Sequence, residues 1–579
     1  MSRTIRLGGA AGYWGESDMA WGQLLASNPD YLVFDYLAEI TMSLMAQMRK
    51  RDPQAGYATD FVNHLIPHLP SIANSGVRII SNAGGVNPES CASAVRAAIE
   101  AAGLDLSVSV VTGDDLMDRL DHLSEASDMF SGEPLPETET IVSANAYLGA
   151  FPLAQALDGG ANIVITGRCV DSAVTLGALI HEFGWAENDL DKLAQGSLIG
   201  HLIECGPQVT GGNFTDWHLV ADNIVDIGYP LAEVQEDGTC IITKPDGTGG
   251  IVNHGTVVEQ MLYEIGDPTA YLLPDVICDF TNVDIKEIGP DRVQVSGAKG
   301  RGRPSDYKVS VTATDGYRIS ILFFMIGEEA VQKAQIFHDA TLMRARRKLR
   351  DRNLGDYDQV ELERVGDETH FGTGLNPREI AFRISVRHED AKACAILLKE
   401  ASGLGLATPP GLVIYSGARP KPQPVTRLFS TLVKKDELDI RVDDIPFSPP
   451  AAIPHQAPFI SLPNEPIQDP DITVPLVQLA WLRSGDKGDK SNIGVSARRP
   501  EFLPYIWTAL TEEIVRAQFD HFVQGDIARW YLPGSHSLNI LLDKALGGGG
   551  MASLRNDPQG KSYGQVLASV PIPIPSSLL

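Results

Sequence analysis

Cysteine is scarce in this chain: six in 579 residues, scattered at Cys91, Cys169, Cys205, Cys240, Cys278 and Cys394. They form no Cys-x-x-Cys pair, so neither a zinc ribbon nor a disulfide frame is indicated, and buried reduced thiols are expected. Positive charge is short as well, with 47 Lys and Arg against 74 Asp and Glu and a formal net charge of -27. That balance argues against a broad nucleic-acid-binding face, and an anionic ligand would need a local basic pocket. Long apolar runs are missing; none approaches the ~20 residues a membrane span requires. The opening residues run into a strand without a signal-type apolar core, so a cytoplasmic location is expected. His64 and His68 are four apart, but Pro67 intervenes, and no metal site is read from the sequence.

What is present is a globular composition, 43% hydrophobic with a mean hydropathy of -0.05, in a chain long enough for at least two domains. Over residues 1–200, short apolar runs alternate with helical patterns. Residues 161–166 read as a buried strand, and 172–183 are apolar at helical spacing. Between them, Gly167-Arg168-Cys169-Val170-Asp171 is a polar loop of the kind that carries ligands in open α/β sheets. Arg168 suits a carboxylate or phosphate, and Asp171 suits a base or an orienting group. As structural residues, Asp171 or Ser172 would cap the helix and Arg168 would pair with an acid.

Strand-like runs at 5–8, 31–34, 77–81, 108–111 and 141–144 end in similar loops. These carry Gly12, Asp35, Asn82 with Gly84 and Gly85, Asp114 with Asp115, and Asn145. The glycines after the first run lack G-x-G-x-x-G spacing, so the dinucleotide signal is weak. Six such strands with helices behind them predict an α/β fold with an N-terminal parallel, Rossmann-like sheet, all carboxyl ends on one edge. Taken singly, each polar residue is a cap or turn residue. Together, Asp35, Asn82, Asp114, Asp115, Asn145, Arg168 and Asp171 predict one pocket, where Gly12, Gly84 and Gly85 would permit close backbone approach.

Residues 201–445 read as a β-rich α+β region. Gly249 and Gly250 precede a helix and are either an anion cradle or hairpin punctuation. Lys299, Arg301 and Arg303 sit on a glycine-rich loop, which suits a phosphate-bearing ligand such as the nucleotide end of coenzyme A, or else is an exposed hairpin tip. Recurrent prolines mark 446–475 as a linker. Residues 476–579 read as a small α+β domain, with strands at 476–482, 492–496 and 565–570 and helices at 501–518 and 538–546. Its charged loop carries Lys487, placed to close over an anion, to meet a second subunit, or simply to cap a hairpin. The expected organisation is a core over 1–445, divided near 200, then the linker, then the C-terminal domain.

Several stretches carry a resemblance. Asn145-Ala146-Tyr147-Leu148-Gly149, Thr166-Gly167-Arg168-Cys169-Val170-Asp171-Ser172, His181-Glu182-Phe183-Gly184-Trp185, the segment 196–212, Gly249-Gly250 and the segment 258–268 resemble the acyclic terpene utilisation (AtuA) family. Arg483-Ser484-Gly485-Asp486-Lys487-Gly488 resembles its small ferredoxin-like domain, which occurs fused or as a separate chain. The resemblance implies pathways that degrade citronellol- and geraniol-type terpenes, or other branched acyl groups, through CoA thioesters. It carries over no catalytic residue.

Three functional expectations follow. The first is a lyase or hydro-lyase acting on an acyl-CoA or carboxylate. There Asp171 or Asp114 would be the base, Asn82, Asn145, Gly84 and Gly85 would hold an oxyanion, and Arg168 would bind a carboxylate. The second is a non-catalytic assembly partner of an acyl-CoA carboxylase or related complex. The third, a nucleotide-dependent oxidoreductase, is disfavoured by the glycine spacing. A small-molecule substrate is expected, with the coenzyme A moiety as its recognisable part, with no nucleic-acid or membrane partner, and in a homo-oligomer.

Overall fold

The computed structural model describes residues 3–123, 125–414, 419–459, 462–550 and 552–579. The first strands are β1 (Thr4–Ala11), β2 (Tyr31–Phe34), β3 (Arg78–Ser81), β4 (Val108–Thr112), β5 (Ile141–Ala146), β6 (Ile163–Thr166), β7 (Leu231–Gln235) and β8 (Cys240–Thr243). β2 and β6 are buried at every position, as continuous apolar strands covered on both faces must be. Parallel pairing runs β1-β2-β3-β6-β4. Antiparallel strands extend both sides into an 11-stranded mixed sheet, with β7, β8, Arg292–Ser296 and Asp284–Gly289 beyond β1, and Arg441–Val442 and Ile445–Pro446 beyond β4. The sheet therefore runs across residue 200, so the two sequence regions share one core.

One expected parallel strand lies elsewhere. β5 pairs antiparallel with the long strand Asp306–Ile326, in a second sheet that also holds Glu379–His388 and Gln423–Lys434. Five parallel strands, not six, share the carboxyl edge. β5 still delivers its last residues there, because Leu148 bridges Cys169 and the Tyr147 amide donates to the Lys308 carbonyl.

The C-terminal domain is a four-stranded antiparallel sheet in the order Ala480–Lys487, Lys490–Ala497, Ser537–Leu542, Ile527–Leu532. Helices Leu503–Ala509, Glu512–Phe519 and Tyr563–Leu567 contribute to its core. The expected helix at 538–546 begins as the strand Ser537–Leu542, and the expected strand at 565–570 starts inside the helix Tyr563–Leu567. The loop 483–491 is mostly strand, a hairpin that continues its pairing through Lys487 and Lys490.

This domain packs on helix His254–Leu262 and the turn after it. Asn492 Nδ2 donates to the Leu262 carbonyl at 2.7 Å, and Asn539 Nδ2 donates to those of Ile265 and Gly266. Arg498 grips Asp216 with two bonds of 2.7 Å. Contact is so close at Gly494 that a Cβ there would strike the Leu262 side chain. Gly494→Val is expected to weaken docking by about 1–3 kcal/mol, read as faster proteolysis within the proline-rich 446–475 segment. Unchanged proteolysis would show that the seam tolerates the extra bulk. Among the described residues, no helix is long and apolar enough to cross a membrane.

Candidate functional site

The parallel strands end level with one another. Phe34 pairs with Ser81, Ser81 with Ile165, and Thr166 with Val111, so the residues that follow them meet at one edge. Asn82 Nδ2 donates to Asp35 Oδ1 at 2.5 Å, and its Oδ1 accepts the Tyr36 amide at 2.8 Å. Asp114 Oδ2 accepts the Arg168 amide at 2.8 Å and Asn145 Nδ2 at 2.9 Å. Gly167 is required here, because a Cβ would run into the Asp114 carboxylate. The structure thus brings Asn82, Asp114, Asn145, Arg168 and Asp171 together.

Arg168 is only 4% exposed. Its Nη1 donates to the Leu37 carbonyl at 2.9 Å and to Asp171 Oδ1 at 2.8 Å, and its guanidinium lies 4.2 Å from the Tyr147 ring centroid. These contacts hold the loop and aim Asp171, whose side chain is 38% exposed. Beside it, Tyr147 donates to Glu39 Oε1 at 2.5 Å, and Lys308 Nζ lies 3.8 Å from the same oxygen. Burial works to raise the Glu39 carboxyl, but Lys308, Arg168 and the Tyr147 hydroxyl outweigh it and hold it near about 2. Asp35 is raised well above the usual range by burial and by the Asp171 charge.

Burial, with the Asp115 charge adding to it, pushes Asp114 up to about 7 against its two donors. An unfolded Asp titrates near ~3.9. The folded chain then binds more protons across the interval, and stability falls as pH rises from ~4 to ~7. Asp114→Asn is expected to flatten that slope in denaturant midpoints taken from pH 4 to pH 8. A slope like the parent's would mean Asp114 is ionised throughout.

A second cluster adjoins Asp171 across the domain seam. The last turn of helix Leu190–Ile203 carries His201, whose Nδ1 meets Glu204 Oε1 at 2.9 Å. From the C-terminal hairpin comes Lys487, with Nζ 5.7 Å from the Tyr271 ring centroid. Burial disfavours its charge, but Tyr271, Glu264, Asp171 and Glu204 together hold it protonated well above its ordinary range. Lys561 Nζ adds ion pairs to Glu264 at 2.9 Å and to Asp486 at 3.5 Å. Burial lifts both Glu204 and Asp486 to about 7. The cluster therefore sets a cation beside carboxyls that burial raises toward neutrality, a combination suited to acid–base chemistry.

The other predicted residues are engaged elsewhere. The Gly84 amide donates to the Thr166 carbonyl and Gly85 to that of Asn82, while Gly12 donates to Glu16. Gly249 and Gly250 donate to Asp226 and Asn223. Lys299 pairs with Asp191 at 2.8 Å, and Arg301 with Asp279 at 2.7 Å. Arg303 is buried and donates to the carbonyls of Asp275, Ala451 and Glu187. That basic loop fastens the proline-rich segment, since Arg303 bridges Ile453 and the Gln456 amide bonds to Arg301.

Sequence reasoning missed Glu39, Tyr147, Lys308, His201, Glu204, Tyr271, Glu264 and Lys561. Among these, the His201–Glu204 spacing at a helix end is a readable signal of a side-chain pair. Among the described residues, no group of three or more His, Cys, Asp or Glu side chains is arranged to hold a metal ion.

The family model for acyclic terpene utilisation family protein AtuA matches residues 5–443, and that for the AtuA ferredoxin-like domain matches 474–573. No curated protein and no solved structure matches the chain.

Proposed function

The chain belongs to the acyclic terpene utilisation family AtuA, and from that premise we propose that it is a catabolic enzyme of acyclic terpene or branched acyl-CoA degradation, a lyase or hydro-lyase working by acid–base chemistry. Family membership points to acyclic terpene utilisation; the acyl thioester and the bond broken are our reading. The observation that carries it is the Lys487 ammonium set among Asp171, Glu204, Glu264 and Tyr271 where the core meets the ferredoxin-like domain.

Asp171, aimed by Arg168 and partly exposed, takes the α-proton of an acyl thioester. The C–H electron pair moves into the developing enolate, whose oxygen the Lys487 ammonium stabilises. When a β-hydroxyl is present, the enolate pair forms the C=C bond as the C–O bond breaks. The hydroxide leaves as water once an acid supplies a proton, so the net change is loss of one water molecule. Lys308 beside Glu39 and Lys561 beside Glu264 suit the anionic parts of a CoA ester. Within this reading the parallel strands form a Rossmann-like core presenting its site at the carboxyl edge.

The test is turnover and thermal shift with saturated, 2-enoyl and 3-hydroxy branched acyl-CoAs. Stabilisation by an acyl-CoA and water exchange at its β-carbon are expected. A panel giving neither binding nor turnover would sink the reading.

A further inference from the structure

Elimination needs an acid as well as a base, and His201 stands among the titratable groups of the seam cluster. It is 4% exposed, at the last turn of helix Leu190–Ile203, where carbonyl dipoles favour a cation. Glu204 holds Nδ1, and Gln260 Nε2 donates to the His201 carbonyl at 3.1 Å. Those two contacts fix the ring at one edge and the backbone behind it. The other ring nitrogen, Nε2, is buried with no hydrogen-bond partner among the described residues. A buried donor left unpaired costs about 1–3 kcal/mol, which calls for a reason. The groups acting on it come from four elements: Glu204 beside it, Lys487 on the C-terminal hairpin, Glu264 after helix His254–Leu262, and the Tyr271 ring, its centroid 6.4 Å away.

We propose, resting on the acyl-thioester reading above, that His201 is the catalytic acid of this cluster, its Nε2 protonating the departing β-hydroxyl while Glu204 orients the ring from Nδ1. One N–H bond breaks, one O–H bond forms, and water leaves; in the reverse direction His201 takes that proton from the attacking water. Burial opposes charge on the ring, but the Glu204 carboxylate outweighs it, aided by Glu264 and opposed by Lys487, so His201 stays protonated above the usual histidine range. Glu204 is a positioning residue in this scheme. Neighbouring Cys205 is not the acid or nucleophile, since burial and the Glu204 charge push its thiol far up.

Two substrates separate the acid from the base. A saturated branched acyl-CoA in D2O reports α-proton exchange alone, whereas a 3-hydroxy branched acyl-CoA reports water loss. His201→Gln is expected to keep α-exchange within about threefold and to slow water loss by about 10²–10⁴-fold, in a protein that still unfolds in one cooperative transition. Glu204→Gln should move the basic limb of water loss to lower pH and lower the His201 titration seen in the NMR spectrum of ¹⁵N-histidine-labelled protein. The proposal is overturned if His201→Gln leaves water loss intact or removes both activities together. It is equally overturned if the His201 titration ignores Glu204→Gln. A wild-type protein inert on both substrates overturns the acyl-thioester reading itself, and the assignment falls with it.

Discussion

Replacing Lys487 by Met is expected to lower turnover on an acyl-CoA by about 10²–10³-fold, the usual effect of removing one preorganised oxyanion partner. The loss should fall mainly on kcat, because the ammonium matters most when negative charge develops on the thioester oxygen. Its electrostatic neighbours make a second signature. Burial acts to raise the Glu264 carboxyl, and Lys561 and Lys487 together hold it low. For Glu204, burial is the upward influence, and Lys487 is among the charges that oppose it. Without Lys487 both carboxyls should titrate higher, so the acid limb of the pH–rate profile should move to higher pH. Lys487→Arg keeps the charge but not the compact ammonium, and should recover the pH profile better than the rate. A Met variant within threefold of wild type at every pH would remove Lys487 from the chemistry. The domain boundary gains meaning from the same residue, since a chain cut in the 446–475 segment would lose the cation along with the ferredoxin-like domain.

How much of this was legible in the sequence depends on the kind of evidence each feature needs. β2 and β6 were readable because strands buried on both faces are nearly continuous apolar runs. The polar residues after them were readable as one site because parallel pairing puts every carboxyl end on the same edge. β5 has a similar texture, yet nothing local to it records that its partner is Asp306–Ile326, some 160 residues on. In the C-terminal domain, 538–546 and 565–570 are short apolar runs, for which periodicity does not separate strand from helix. The basic loop from Lys299 to Arg303 misled for a different reason. Cations in an acidic chain suit an anionic ligand, but here they meet Asp191, Asp279 and three backbone carbonyls. The seam cluster was the least legible part. His201, Tyr271 and Lys487 are spread over nearly 300 positions and become neighbours only when the hairpin docks.

Arg168→Met is expected to give the largest loss of stability, about 3–5 kcal/mol, because it removes one member of a buried charge cluster and leaves the rest uncompensated. Arg168 holds Asp171 at 2.8 Å and the Leu37 carbonyl at 2.9 Å, and its charge also faces Glu39 and Asp35. Methionine fills much of the volume, so a cavity would explain little of the effect. Asp171→Asn is a milder change, since its side chain is 38% exposed and the guanidinium keeps the Leu37 carbonyl, the Tyr147 ring and the Glu39 charge. It should cost stability of about 1 kcal/mol or less while removing the base. The pair should therefore dissociate the two roles: Met at 168 loses fold and activity together, and Asn at 171 loses activity alone. A double-mutant cycle read from denaturant midpoints should give less than additive loss, because removing Asp171 also removes one of the charges that Arg168 neutralises. Additive losses would mean that the 2.8 Å contact contributes nothing. The anchoring would then lie in the Leu37 carbonyl and the Tyr147 ring, and Asp171 would keep its orientation without the arginine.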